Sequence, residues 1–323
     1  MNKNIETIKE ELSEIISDNP VLELLLVMKE EGQYYLKLAD LDSQLTASEL
    51  EDLYEKALIQ TIVTNDYLEI RPLSTADEQV NTLYLYDYKE LPDEMELFAQ
   101  FDINQINSIE RFNFKTDSLT NLFGFLVYIG SMDKGVLLYK KHYPVALIKR
   151  DSFLLGIKKD AERFVKIDGG DILRVNADFQ MIRLGNNIFI IDLKALERSF
   201  GFTQLIAGAA AESIKEIEKK GLIEDTEVLY DLLDDVSFCR KLSKVTKSSP
   251  VFKLGIPRNT IIDFSKNNIA LHDKFKYSDD GQTIRLDTKK SKIAFLKLLN
   301  DEFLVSELTK QYYEASAKDV IEA

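Results

Sequence analysis

Lysine and arginine collect in three stretches of this acidic chain, and collected cations are its clearest chemical signal. In the first stretch Lys134, Lys140, Lys141, Lys149, Arg150, Lys158, Lys159, Arg163 and Lys166 outnumber Asp151, Asp160 and Glu162, with Tyr139, His142, Tyr143 and Phe153 among them. The second is Arg240, Lys241, Lys244 and Lys247, with no acid between them. At helical spacing 240, 244 and 247 share one face. The third, Arg285, Lys289, Lys290 and Lys292, opens a helical pattern. Clusters of this kind neutralise phosphates, and the binding they give depends on salt and not on base sequence. The competing readings are solvated faces paired with acids, or protein interfaces. The expectation is that the cations gather on one exposed surface in the later two-thirds of the chain.

A second constellation has the form of a metal-dependent nuclease. Asp178 begins one strand of a hairpin, and Asp192-Leu193-Lys194 ends the next. Two carboxylates on neighbouring strands could hold Mg²⁺ while a lysine helps activate water. Asp192 also stands where a helix N-cap belongs, so the same residue has a structural reading. Other chemistry has less support. His142 and His272 lie in unrelated segments with no partner at metal spacing, and read as surface residues. No phosphate-binding loop or nucleophile elbow occurs. Gly169-Gly170 precedes a strand, which is the wrong context for a dinucleotide. Cys239, within an apolar helical pattern, reads as a buried thiol. No cofactor is implied.

These side chains need a frame. A chain of 323 residues, 45% hydrophobic and 30% charged, has the composition of a globular protein. Residues 1–110 hold 7 Lys/Arg and 25 Asp/Glu, a net −18, while the remainder is close to neutral. No apolar run reaches the roughly 18 residues that span a bilayer. The first residues lack a signal-peptide core, and a single cysteine makes no disulfide framework, so a cytoplasmic protein is expected.

The organising unit is residues 171–202: a strand to Leu184, a Gly185-Asn186-Asn187 turn, a strand over Ile188–Ile191, then a helix from Leu193 to Phe200 ended by Gly201. Earlier in the chain, helices are predicted over 5–16, 47–60 and 93–101, the second opened by a Thr46/Glu49 capping box. Strands are predicted over 21–28, 34–38, 67–70 and 82–86. A polar stretch, 103–118, marks a candidate boundary. Beyond it come a hairpin over 122–129 and 136–141, a strand over 153–157, helices over 203–219 and 225–247, and a break at Ser248-Ser249-Pro250. A short helix over 258–266, a hairpin around Asp279-Asp280-Gly281 and a helix over 291–300 follow. The fold class is therefore α+β, with mixed, largely antiparallel sheets and packed helices. Two domains are expected, an acidic one over 1–110 and a core one over 111–323.

The ending Leu298-Leu299-Asn300-Asp301-Glu302-Phe303-Leu304, then Ser306-Glu307-Leu308-Thr309 and Tyr312, resembles that of the KwaB-like family of the Kiwa antiphage defence system. The 171–202 unit is similar too, in its Gly185-Asn186-Asn187 turn and in Leu196-Glu197-Arg198-Ser199-Phe200-Gly201-Phe202. Tyr86-Asp87-Tyr88 with Leu91-Pro92 also fits. The likeness spans about Tyr86 to Tyr313; Lys310 stands where many members have glycine. The resemblance implies a non-enzymatic cytosolic effector that self-associates as a homo-oligomer and joins a KwaA-like multi-pass membrane protein. It also implies DNA binding that obstructs phage replication. The motif residues themselves read as packing and turn residues.

Overall fold

A computed structural model of the protein describes residues 4–41, 44–74, 79–144, 147–148, 157–160, 163–166 and 172–314. The architecture is α+β, as expected. The chain divides into two compact units: residues 1–70, 81–85 and 93–199 form one, and residues 71–80, 86–92 and 200–323 the other.

The first unit opens with α1 (Ile5–Ser17), whose Ile8, Leu12 and Ile15 form one buried stripe and whose first turn is capped by Asn4. β1 (Val21–Glu30) and β2 (Gln33–Leu38) make a hairpin. Glu31 and Gly32 both adopt positive φ in its turn. α2 (Gln44–Leu58) begins before Thr46, so the expected capping box lies inside the helix. β3 (Glu69–Pro72), β4 (Thr82–Leu85) and α3 (Asp93–Gln100) follow. The long hairpin is β5 (Leu122–Gly130) and β6 (Gly135–Lys141). Two small ribbons, β7 (Leu147–Ile148) with β10 (Ile172–Leu173), and β8 (Ile157–Asp160) with β9 (Arg163–Lys166), lie between it and the central unit. That unit forms as expected: β11 (Met181–Leu184), β12 (Asn187–Ile190) and α4 (Leu193–Ser199). The predicted strand over 153–157 lies almost wholly outside the described residues.

One eight-stranded sheet runs in the order β2-β1-β5-β6-β11-β12-β4-β3. The pairings from β2 through to β4 are antiparallel. Its central strands are apolar almost throughout because both faces are covered. On one face α1 and α2 meet Leu24, Leu26, Phe125, Val127, Leu138 and Ile182. Tyr139 reaches the opposite way, packing on Phe98 of α3 and donating to the Glu94 carbonyl at 3.1 Å. Arg183 donates to the carbonyls of Ala99 and Phe101, which closes the C-terminal end of that helix.

This sheet runs through the expected domain boundary at 110/111, because β1 pairs with β5 along its length. The polar stretch 103–118 is not a linker. Ile103, Ile106 and Phe112 are buried, and its backbone closes part of the β2 edge: Leu38 N donates to Glu110 O, and Phe112 N to Leu38 O, both at 2.9 Å.

The second unit is mainly helical. α5 (Phe202–Lys220) starts at Gly201, which has φ 64°, and ends at Gly221, φ 60°. The predicted helix over 225–247 is two helices, α6 (Glu227–Tyr230) and α7 (Val236–Ser248). Asp235 divides them by accepting a bond from Phe238 N at 3.1 Å, an N-cap in the middle of the pattern. α8 (Pro250–Lys253), α9 (Arg258–Asn267) and a hairpin of β13 (Lys276–Tyr277) with β14 (Ile284–Arg285) come next. α10 (Lys289–Leu299), capped by Thr288, and a ribbon of β15 (Phe303–Val305) with β16 (Tyr312–Glu314) complete the unit. Among the described residues no helix is long and apolar enough to cross a membrane.

Candidate nucleic-acid interface

The second basic cluster is built by α7. Phe238, Cys239, Leu242, Ser243 and Val245 are its buried positions. At 3.6 residues per turn, Arg240, Lys241, Lys244 and Lys247 then occupy the opposite arc. Lys247 is exposed, and the other three are partly so. The helix contains no acid. α5 holds it in place by close packing, and Ser213 Oγ lies 2.8 Å from Thr246 Oγ1 between them. Lys247 Nζ sits 4.1 Å from the centroid of the Tyr88 ring, whose edge meets Phe202 at 5.3 Å. Burial there lowers the Lys247 pKa. No sequence signal links Tyr88 to Lys247, because the pair is made only by folding.

The third cluster lies beside the second. Lys289, the first residue of α10, pairs with Asp235, the N-cap of α7, at 2.8 Å. At the other end Ser249 Oγ donates to Leu299 O. Two contacts at corresponding ends mean that α7 and α10 run side by side in the same direction. Lys290 is exposed and Lys292 partly so. Lys297 donates to Glu314 and, with Lys274 and Lys241 adding their charge, holds that carboxyl below its usual range. Lys289 does the same for Asp235. Arg285 is engaged by Glu224.

The first cluster belongs to the other unit, and three of its cations have partners of their own. Lys140 is buried, its ammonium bonded to Asp178 and to the Asn176 carbonyl. The sequence pattern places it at a phosphate, and the alternation of β6 turns it inward instead. Lys141 Nζ lies over the Phe123 ring at 3.1 Å, and burial lowers its pKa to about 8. Lys134 pairs with Glu14 of the acidic leading segment. Lys158, Lys159, Arg163 and Lys166 stand on the β8–β9 ribbon, with Lys159 opposite Phe164 and Asp160 opposite Arg163. Lys149 and Arg150 lie outside the described residues.

Both acids of the nuclease constellation already have structural partners. Asp178 is neutralised by Lys140. Asp192 accepts a bond from Ala195 N at 2.9 Å, which is the capping role. Among the described residues no group of three His, Cys, Asp or Glu side chains is placed to hold a metal ion. His142, expected at the surface, is buried against Phe125, and burial followed by Lys141 lowers its pKa. His272 is exposed beside Asp273. Cys239 is buried as expected, and burial raises its thiol to about 11.

A family model described as "Kiwa protein KwaB-like" matches residues 119–309. The chain is 28% identical to Kiwa protein KwaB of Escherichia coli O55:H7 (strain RM12579 / EPEC) over 315 residues, covering 97% of this chain and 98% of that protein. No solved structure matches.

Proposed function

The chain belongs to the Kiwa KwaB-like family and is a component of that antiphage defence system, and from this premise we propose that it is a DNA-binding effector. It contacts the phosphate backbone without strong sequence preference, works as a homo-oligomer with a KwaA-like multi-pass membrane partner, and blocks phage DNA replication. The observation that supports this most is the uninterrupted cationic arc of α7, Arg240, Lys241, Lys244 and Lys247, with Lys290 and Lys292 on the helix alongside. No carboxylate stands on that helix to offset the positive charge. Lys141, Lys149, Arg150, Lys158, Lys159 and Arg163 are a second contact region of the same proposal, while Lys140 serves the fold.

The test is a duplex-DNA titration at several salt concentrations. Arg240→Glu, Lys244→Glu and Lys247→Glu combined should weaken binding to all sequences alike, and the slope of log K against log salt should fall by about one per lost phosphate contact. An unchanged affinity and slope would remove α7 from the interface. Plaque counts with the same triple variant then test whether binding matters for defence.

A further inference from the structure

α2 and the sheet enclose a groove of about 510 Å³ in the first unit. Leu24 and Leu26 of β1 form its floor, Leu50 and Leu53 of α2 one wall, and Phe112 and Phe114 the other. Leu24, Leu26 and Phe112 are buried, but Leu53 is 42% and Phe114 80% exposed. Phe114 makes an edge contact to Phe112, centroids 4.9 Å apart. The volume lies in the range of sites that take ligands or anchor residues.

The rim is mainly acidic. Asp40 and Glu49 line the groove. Asp40 is bridged by Arg111 at 2.8 Å, yet its side chain stays 63% exposed. The chain from Asp40 to Glu55 carries six carboxylates and no Lys, Arg or His. On the flank of α2 away from Glu49, burial and then Glu51 and Asp52 raise the Glu55 pKa, so like charges are crowded on this helix. That field repels nucleic acid and anionic lipid. It attracts cations, and the floor adds a requirement for apolar side chains. The wall residues Leu50 and Leu53, with Glu49 beside them, fit an occupant that presents apolar groups at helical spacing and basic groups at the margin.

We propose that this groove docks a basic amphipathic helical segment of a partner protein, its apolar side chains seated between Leu53 and Phe114 and its Lys/Arg at Asp40 and Glu49. The inference stands apart from the DNA-binding reading, and its test uses no DNA, so each can fail alone.

The probe is a fluorescent synthetic peptide of about 15 residues with Leu at helical i, i+3, i+7 spacing and Lys elsewhere, measured by anisotropy on the full chain. Two controls replace its Lys by Glu or its Leu by Ser. The Lys/Leu peptide should bind, and each control should bind at least about tenfold more weakly. Leu53→Asp and Phe114→Ser, both at exposed positions, should each cost about tenfold with an unchanged melting temperature. Glu49→Lys should weaken the Lys/Leu peptide and strengthen the Glu/Leu peptide. Equal binding to all three peptides, or to wild type and both wall variants, overturns the proposal. So does a wild-type dimer in sedimentation velocity that Leu53→Asp dissociates, because a second copy then covers the groove.

Discussion

Lys140 shows how one residue can share a charge cluster in sequence and leave it in space. Its ammonium is bonded to Asp178 and Asn176 under the sheet. Lys140→Met should therefore lower the melting temperature, at a cost of about 1–3 kcal/mol for the lost charged hydrogen bonds, while leaving the DNA salt slope unchanged. A reduced slope at wild-type stability would return Lys140 to the surface set. Cys239 gives a second residue-scale expectation. Its thiol, buried and raised to about 11, should resist Ellman's reagent in the native protein and react only on unfolding. The type and burial of Cys239 were legible in the sequence because an apolar helical stripe surrounds it. The burial of His142 was not, because a lone histidine after a strand carries no local sign of the Phe125 ring that covers it.

At the scale of elements, caps decide where helices begin, and they explain both the success and the failure of sequence reading. Asp192 was legible as a cap, and Asp192→Ala should cost about 1 kcal/mol by denaturant titration, while adding Mg²⁺ should leave DNA intact with either protein. Asp235 was missed, since the apolar pattern from 225 to 247 continues across it. It carries a pH signature. Lys289 holds the Asp235 carboxyl below its ordinary value, as Lys297 holds Glu314, so both are depressed in the folded state. Depressed carboxylates stabilise above their unfolded pKa, and that stability is lost as pH falls through the folded one. The melting temperature should thus be level above about pH 5 and drop below about pH 4, and Asp235→Asn should flatten that drop. In α10, Leu298 and Leu299 are both buried, and alanine at either should cost about 2–5 kcal/mol through a cavity. The family motif beyond them is different. Phe303 is buried, but Leu308 is 93% exposed and Tyr312 is exposed too, so these are not the packing residues that the sequence suggested.

For the whole molecule, the α+β class and the hairpins followed from short apolar runs and Gly/Asn turns. The order of strands in the sheet did not, because pairing between β1 and β5 depends on residues about a hundred positions apart. That pairing also makes a prediction. Residues 1–110 expressed alone keep β1 and β2 but lose β5, the strand on the other side of β1. Circular dichroism of that fragment should show little cooperative melting, whereas a clear two-state transition would restore a boundary at 110. Its acidity, legible at once, gave no hint of this, since charge lies on the solvent side and pairing on the other.

The margins of the sheet carry a last consequence. Arg111 bridges to Leu38 along the β2 side, and the strand at the far side, β3, is four residues long and ends in Pro72. A proline cannot donate to an incoming strand, and Leu38, already bonded, has little left to offer. Main-chain pairing of one copy onto the next is thereby hindered at Leu38 and at Pro72.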